Sequence, residues 1–281
     1  MHAHVRALRI APVKGLATVP RPEVRLDRSG VAADRRLFLL RDDGSVVTLR
    51  RFPTLARVMP ELDLHAGTIA VRLPDGSVAR SDLAATGEEV AARLFGRDRT
   101  GRVLPGAAAA ALSAYVGEPL RLVLGEPGIG WDEGPVSMIS RASVDAVGPP
   151  PGGPDPRRYR MLVELDGLPA YAEDAWVGRR VRLGEAVLEV SHALDRCVVV
   201  NASPTAGAQD WAGLKTLAAV RGQSHTRGAT PLDPRNNLGH TRGATPLDPR
   251  NNLGRLTLGV IATVVAPGAV RVDDAVEVLA C

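Results

Sequence analysis

The stretch LFLLRDDGSVVTL, residues 37–49, decides the fold class. Two apolar runs, Leu37 to Leu40 and Val46 to Leu49, flank Asp42-Asp43-Gly44. An Asp-Gly pair between short apolar runs marks a hairpin. The same grammar recurs on both sides. Upstream, Val5, Ala7 and Ile10 alternate with period two into Pro12, and Val24 and Leu26 mark a second strand. Downstream, Ile69, Val71 and Leu73 run into the turn Pro74-Asp75-Gly76. Further strands are expected over Met161 to Leu165, Val181 to Val190, Cys197 to Val200, Leu256 to Val265 and Val270 to Leu279. Three segments read as helices instead. Glu88 to Phe95 has Val90, Leu94 and Phe95 at helical spacing before Gly96, and Gly106 to Val116 is Ala-rich and stopped by Gly117. The third runs from Asp210, its cap, to Val220, with Leu214, Leu217 and Ala218 on the buried face. The Pro-rich run Gly148 to Asp155 reads as a loop.

Composition narrows the function classes. A chain of 281 residues with 45% hydrophobic content and mean hydropathy near zero buries a substantial core. Its apolar runs are too short to span a bilayer, and Met-His-Ala-His leads straight into an alternating segment rather than a signal core, so the expected location is the cytoplasm. Two cysteines, Cys197 and Cys281, make neither a disulfide framework nor a CxxC clamp. Aromatic residues are 3% of the chain, which argues against a base-stacking nucleic-acid surface. The net charge of +4 is spread along the chain and fits small anionic ligands better. Only two of the 35 basic residues are lysines, Lys14 and Lys215, which singles them out as places where a compact ammonium matters.

One segment is duplicated. HTRGATPLDPRNNLG, residues 225–239, recurs without change as residues 240–254. Two copies do not make a solenoid, and their Pro, Gly and Asn content is that of a loop. Lengthening a loop costs little entropy, so the fold can absorb it.

The residue with most chemical potential is Cys197, in Asp195-Arg196-Cys197-Val198-Val199-Val200. A neighbouring Arg favours the thiolate, the form that ligates metals and attacks electrophiles, although adjacent side chains on a strand face opposite ways. The residues alone leave a buried structural thiol open beside a ligand or a reactive one. Lys14, Arg35, the Arg50-Arg51 pair and Arg160 each sit near a turn, and together they can contact phosphate from separate strands. Glu173-Asp174 reads as a charged turn before it reads as a catalytic pair. The histidines form no metal motif, and no P-loop, GxSxG elbow or GxGxxG fingerprint is present.

Taken in order, these segments resemble the MOSC proteins, named for the C-terminal domain of molybdenum-cofactor sulfurase, together with the β-barrel domain that often precedes it. Ala11-Pro12-Val13-Lys14-Gly15 is similar to the family's Tyr-Pro-x-Lys-Ser, and Gly30-Val31-Ala32-Ala33-Asp34-Arg35 to its Gly-x-x-x-Asp-Arg. Thr48-Leu49-Arg50-Arg51-Phe52-Pro53 matches Thr-x-Arg-x-x-Pro. Further on, Ser140-Arg141-Ala142-Ser143 resembles Ser-x-Ala-Ser, Tyr159-Arg160 resembles Phe-Arg-Pro-Asn, and Glu173-Asp174-Ala175-Trp176 resembles Glu-Asp-x-Trp. Arg196-Cys197 resembles the family's Arg-Cys, and Leu214-Lys215-Thr216-Leu217 its Leu-x-Thr-Leu. Three positions depart from the pattern: Gly15 stands for Ser, Met161-Leu162 for Pro-Asn, and Asp195 for Ser.

The resemblance implies a mainly β (α+β) protein: a β-barrel-like domain over 1–82, a helical connection over 83–118 and a MOSC β-barrel over 119–281. It implies a molybdenum-pterin cofactor with Cys197 as metal ligand and catalytic centre. Lys14, Arg35 and Arg160 would be its anchors, with Ser140 and Ser143 as weaker ones. The implied activity is reduction of an N-oxygenated small molecule, with electrons from a separate ferredoxin- or flavin-type donor and no nucleic-acid or membrane partner. The alternatives are a sulfur carrier using a Cys197 persulfide and a non-catalytic cofactor-binding protein. Pyridoxal phosphate is linked to MOSC domains through fusion to desulfurase-like enzymes, and here only Lys14 and Lys215 could form its Schiff base.

Overall fold

A computed structural model describes residues 2–84, 87–94, 97–148, 155–221 and 256–280. The first part of the chain lays down β1 (His4–Ile10), β2 (Val19–Arg21), β3 (Glu23–Leu26) and β4 (Leu37–Leu40). A meander follows, β5 (Met59–Asp63), β6 (Thr68–Arg72) and β7 (Val78–Asp82), and then a hairpin of β8 (Glu89–Leu94) and β9 (Arg97–Val103). Helix α1 (Ala107–Val116) leads to β10 (Arg121–Leu124) and β11 (Val136–Ser140). The rest comprises α2 (Arg141–Val147), β12 (Val163–Asp166), β13 (Arg180–Leu183), β14 (Ala186–Asp195), α3 (Gly213–Arg221), β15 (Thr257–Ala266), β16 (Gly268–Arg271) and β17 (Val276–Val278). The duplicated segment and most of the Pro-rich run lie outside the described residues.

The two halves are interleaved rather than strung in series. An eight-stranded sheet has the order β17-β13-β14-β15-β11-β12-β1-β2, so its last two strands come from the N-terminus. β1 pairs antiparallel with β12, from His4 opposite Asp166 to Leu8 opposite Val163, and β3 pairs with β16. In return β10 completes a four-stranded sheet, β4-β10-β9-β8, and β5-β6-β7 forms a third. A boundary at residue 82 therefore separates no independent unit, and 83–118 holds two strands and a helix rather than a helical connection. One core surrounds the large sheet, with Leu8, Ile10, Leu26, Met138, Leu188 and Val260 among its members. A second gathers Val13, Leu37, Leu39, Leu55, Ile69 and Leu112. β4 is buried along its whole length because Leu37 and Leu39 enter this second core while Phe38 and Leu40 enter a smaller one on the other face.

Several local expectations hold. The turn after β4 closes through Gly44 N–H on the Arg41 carbonyl at 3.0 Å, and the return arm pairs at Val46 and Val47 before leaving the sheet. The turn at Pro74-Asp75-Gly76 joins β6 to β7. Helix α1 ends at Gly117, whose φ of 75° is cheap only for a residue without Cβ. Ser81 Oγ receives the Ala108 N–H at 3.1 Å, so the meander caps this helix.

Four expectations fail. Residues 88–95 were expected as a helix, yet Glu89–Leu94 is strand β8, registered against β9. Positions four apart share a face in both geometries, so Val90 and Leu94 do not distinguish a period of 3.6 from one of two. Cys197 to Val200 does not form a strand: Cys197 is extended and Val198–Asn201 is a 3-10 turn. The partner strand β15 starts at Thr257, opposite Asp195, and among the described residues the pairing goes on only through the Arg196 N–H on the Leu256 carbonyl at 2.8 Å. Helix α3 is not capped by Asp210. Asn201 Oδ1 accepts the Leu214 N–H at 2.9 Å, while the Asp210 carboxylate holds Arg158. The single strand expected over Val270 to Leu279 is divided into the end of β16 and β17. No helix among the described residues is long and apolar enough to cross a membrane.

Glu173 ties the end of β11 to α2 and is fully buried. It accepts from the Ser140 N–H at 3.1 Å and from the Ser143 hydroxyl at 3.0 Å, while Ser140 Oγ caps α2 through the Ser143 N–H. Its neighbour Asp174 pairs with the buried Arg221 of α3 at 2.6 Å. Glu173→Ala should destabilise the protein by about 1–3 kcal/mol for each donor left unpaired. Urea unfolding followed by circular dichroism checks this, and an unchanged midpoint would refute it.

Candidate functional site

The chain closes around a cavity of about 410 Å³ whose wall includes Lys14, Arg35, Arg160 and Cys197. Lys14 follows β1 in a turn fixed by its N–H on the Leu37 carbonyl at 2.8 Å. Arg35 precedes β4, Arg160 follows the 3-10 turn Pro156–Tyr159, and Cys197 lies just past β14. Four residues expected at the site from distant parts of the sequence are thus brought together. Ser140 and Ser143 are not. Both are fully buried in the Glu173 network and do not line the cavity. Their spacing served helix capping, which uses the same residue types as anion binding. Lys215 is exposed on α3 and is likewise absent from the cavity wall.

The cations are positioned by their own carboxylates. Asp34 accepts the Ala11 N–H at 2.7 Å and pairs with Arg35 through its other oxygen, fixing the guanidinium against the strand end that carries Lys14. Burial works against the Arg35 charge, but Asp34 and Asp132 outweigh it and raise its pKa. Arg35 also donates to the Arg160 carbonyl at 3.1 Å. Lys14 Nζ donates to the Gly130 carbonyl at 3.0 Å and pairs with Asp132. Burial lowers its pKa, an effect that Asp132 opposes. For the Asp132 carboxyl, burial pushes upward but the charges of Lys14, Arg35 and Arg160 prevail and hold it low.

Asp132 is the functional residue that sequence reading missed. It comes from a loop, Trp131-Asp132-Glu133, between β10 and β11 that matched no motif. The Gly-rich run just before it was a signal: a Cβ at Gly130 would stand 2.4 Å from the Arg35 carbonyl, so glycine permits the close approach of these two segments.

Arg196 also lines the wall, beside Arg160. Arg196 donates to the Leu258 carbonyl at 2.6 and 2.8 Å and to the Tyr159 carbonyl at 3.1 Å, and it lies over the Tyr159 ring. Burial pushes its pKa down to about 10. Among the described residues the Arg160 guanidinium makes no hydrogen bond or ion pair, and burial, then Arg35, push its pKa down to about 10. Asp132 and Asp34 act on its charge without hydrogen-bonding it, so its donors face the cavity, where they can meet an anion. Arg35 and Arg160 also have φ of 49° and 54°, a region that residues with a Cβ rarely adopt. The three departures are accommodated: Gly15 has φ of 88°, Leu162 is buried in the main core, and Asp195 lines the cavity.

Comparison with known proteins accords with this arrangement. Residues 2–119 match the MOSC N-terminal beta barrel domain, so β8, β9 and α1 belong to that unit, and residues 125–277 match the MOSC domain. No curated protein matches the chain. Among solved structures it is similar to the YuaD protein of Bacillus subtilis, at 14% identity and a TM-score of 0.41, over 99% of this chain and 96% of that one. A Bordetella bronchiseptica protein with a solution structure is 23% identical with a TM-score of 0.27, over 36% of this chain and 78% of that one. MOSC domains are associated with molybdenum-cofactor proteins. Matched by the two domain models over nearly its whole length, the chain belongs to the MOSC family.

Proposed function

We propose that this protein binds a molybdenum-pterin cofactor in the cavity and reduces N-oxygenated small molecules there, such as hydroxylamines or amidoximes. The observation that carries the reading is the unpartnered Arg160 guanidinium beside Lys14 and Arg35, in the same cavity as a free cysteine. The residues fit the group in charge and in donor type. Lys14, Arg35 and Arg160 outnumber the carboxylates Asp34 and Asp132 that face them, leaving a positive excess for a phosphate. Cys197 supplies one soft sulfur donor, which suits molybdenum. When bound, such a cofactor supplies two-electron removal of an oxygen atom, the chain itself supplying placement. Electrons would come from a separate ferredoxin- or flavin-type donor.

Cys197 is half-buried in the cavity wall, where a small substrate can reach it. A sulfur carrier needs a thiol accessible to another protein, which this placement does not favour. Pyridoxal phosphate is not favoured either, because Lys14 is engaged by Gly130 and Asp132 and Lys215 is not part of the cavity wall.

Two predictions test the reading. Cys197→Ser should lose molybdenum-dependent reduction by at least about a hundred-fold, since a hydroxyl keeps the volume but ligates a soft metal poorly. Its circular dichroism should be unchanged. Turnover at the wild-type rate with molybdenum bound would refute the ligand assignment, and persulfide accumulation on Cys197 without bound molybdenum would support the carrier. Arg160→Met should weaken cofactor retention about ten- to a hundred-fold, the scale of a lost charge-assisted hydrogen bond. The same variant should melt at a higher temperature than wild type when free of cofactor, because it removes a charge that burial disfavours. Molybdenum content after equilibrium dialysis and thermal melts decide both points, and unaltered retention would remove Arg160 from the site.

A further inference from the structure

At one edge of the cavity a histidine and a glutamate form a pair that the cofactor-binding reading leaves unused. Glu133, a lining residue, receives His192 Nε2 at 3.1 Å on Oε2. The other ring nitrogen, Nδ1, lies 2.9 Å from Ser191 Oγ, and that hydroxyl donates to the Ile261 carbonyl at 3.0 Å. A carbonyl only accepts, so the hydroxyl hydrogen points to Ile261 and the Ser191 oxygen must accept from Nδ1–H. With Nδ1 already protonated, the Nε2···Oε2 contact needs one more proton, held by either the ring or the carboxyl. The pair is therefore a store for one mobile proton. Its ends open in different directions: the His192 side chain is 42% exposed and the Glu133 side chain, 23% exposed, borders the cavity.

We propose that His192 and Glu133 form the proton relay of the cavity, carrying protons from solvent to the oxygen that leaves the substrate. This rests on the reductive function proposed above. Converting R–NH–OH to R–NH2 and water takes two electrons and two protons: the N–O bond breaks, an N–H bond forms and the oxygen departs as water. The electrons come from the ferredoxin- or flavin-type donor. The protons pass from the His192 ring through Nε2 to Glu133, and the ring is recharged from solvent. Arg196, from the end of the same strand, feels the Glu133 charge, and Asp132, Lys14 and Asp195 are the other charged groups of the adjoining wall. Arg35, Arg50, Arg158 and Arg160 are further cations of the same wall.

Long-range proton–nitrogen spectra of the His192 ring, which need no cofactor, should show a proton on Nδ1 in wild type and lose that preference in Ser191→Ala. A ring protonated on Nε2 alone would overturn the relay. In loaded protein, Glu133→Gln should lower kcat for an N-hydroxy substrate about a hundred-fold, the scale of general acid catalysis, with molybdenum content unchanged. His192→Ala should fall similarly and regain rate on addition of imidazole, which a structural role would not allow. Glu133→Gln turning over at the wild-type rate sinks the relay and leaves the function standing. Loaded wild type that reduces no N-hydroxy compound sinks the function, and the relay with it.

Discussion

The guanidinium of Arg196 fastens together two parts of the chain that the site requires side by side. It is half-buried, and its hydrogen bonds go to the carbonyls of Leu258 and Tyr159 and to the sulfur of Met161. Those contacts hold the segment bearing Arg160 against β15 and, through the backbone, against Cys197, the next residue. Only a planar fork with several donors reaches a carbonyl of β15 and the 159–161 segment at once, and a lysine could not. Withdrawing this arginine from water is costly, which its depressed pKa reports, although Glu133 and Glu173 act against the shift. The arrangement places a positive charge beside the cysteine.

A second layer of organisation is electrostatic. Asp34 and Asp132 hold Arg35 and Lys14 in place, and the geometry of Arg35 in turn fixes the carbonyl of Arg160. The Arg160 guanidinium feels the charges of Asp132 and Asp34 but makes no hydrogen bond or ion pair with them. The two arginines occupy a backbone region that is strained for residues with a Cβ, and strain of this kind persists only where the surroundings over-determine it. Here the surroundings are the interleaved strands and the close approach at Gly130.

The strands were legible where alternation was unbroken and turns carried Asp-Gly, as at Asp43-Gly44 and Asp75-Gly76. Lys14, Arg35, Arg160 and Cys197 were legible because each sits in a short motif whose order along the chain matches the family. Asp132 was not, since a loop acid acquires its role only from the lysine it meets across more than a hundred residues. Ser140 and Ser143 were misread because capping and anion binding call on the same hydroxyls. Residues 88–95 were ambiguous in principle, as a four-residue apolar spacing satisfies both geometries. The pairing of β1 with β12 left no local trace, because either strand's alternation would serve equally well against another neighbour.

That pairing has a consequence for how the chain is made. Strand β1 takes its place beside β12 only when residues around 163–166 have been made, and β3 must wait for residues 268–271. Contacts between such distant parts of a sequence close slowly. Until then, His4–Ile10 and Glu23–Leu26 are alternating segments each with a backbone edge left unpaired, the kind of surface that invites association with other chains. The N-terminal half thus cannot finish as a separate folding event.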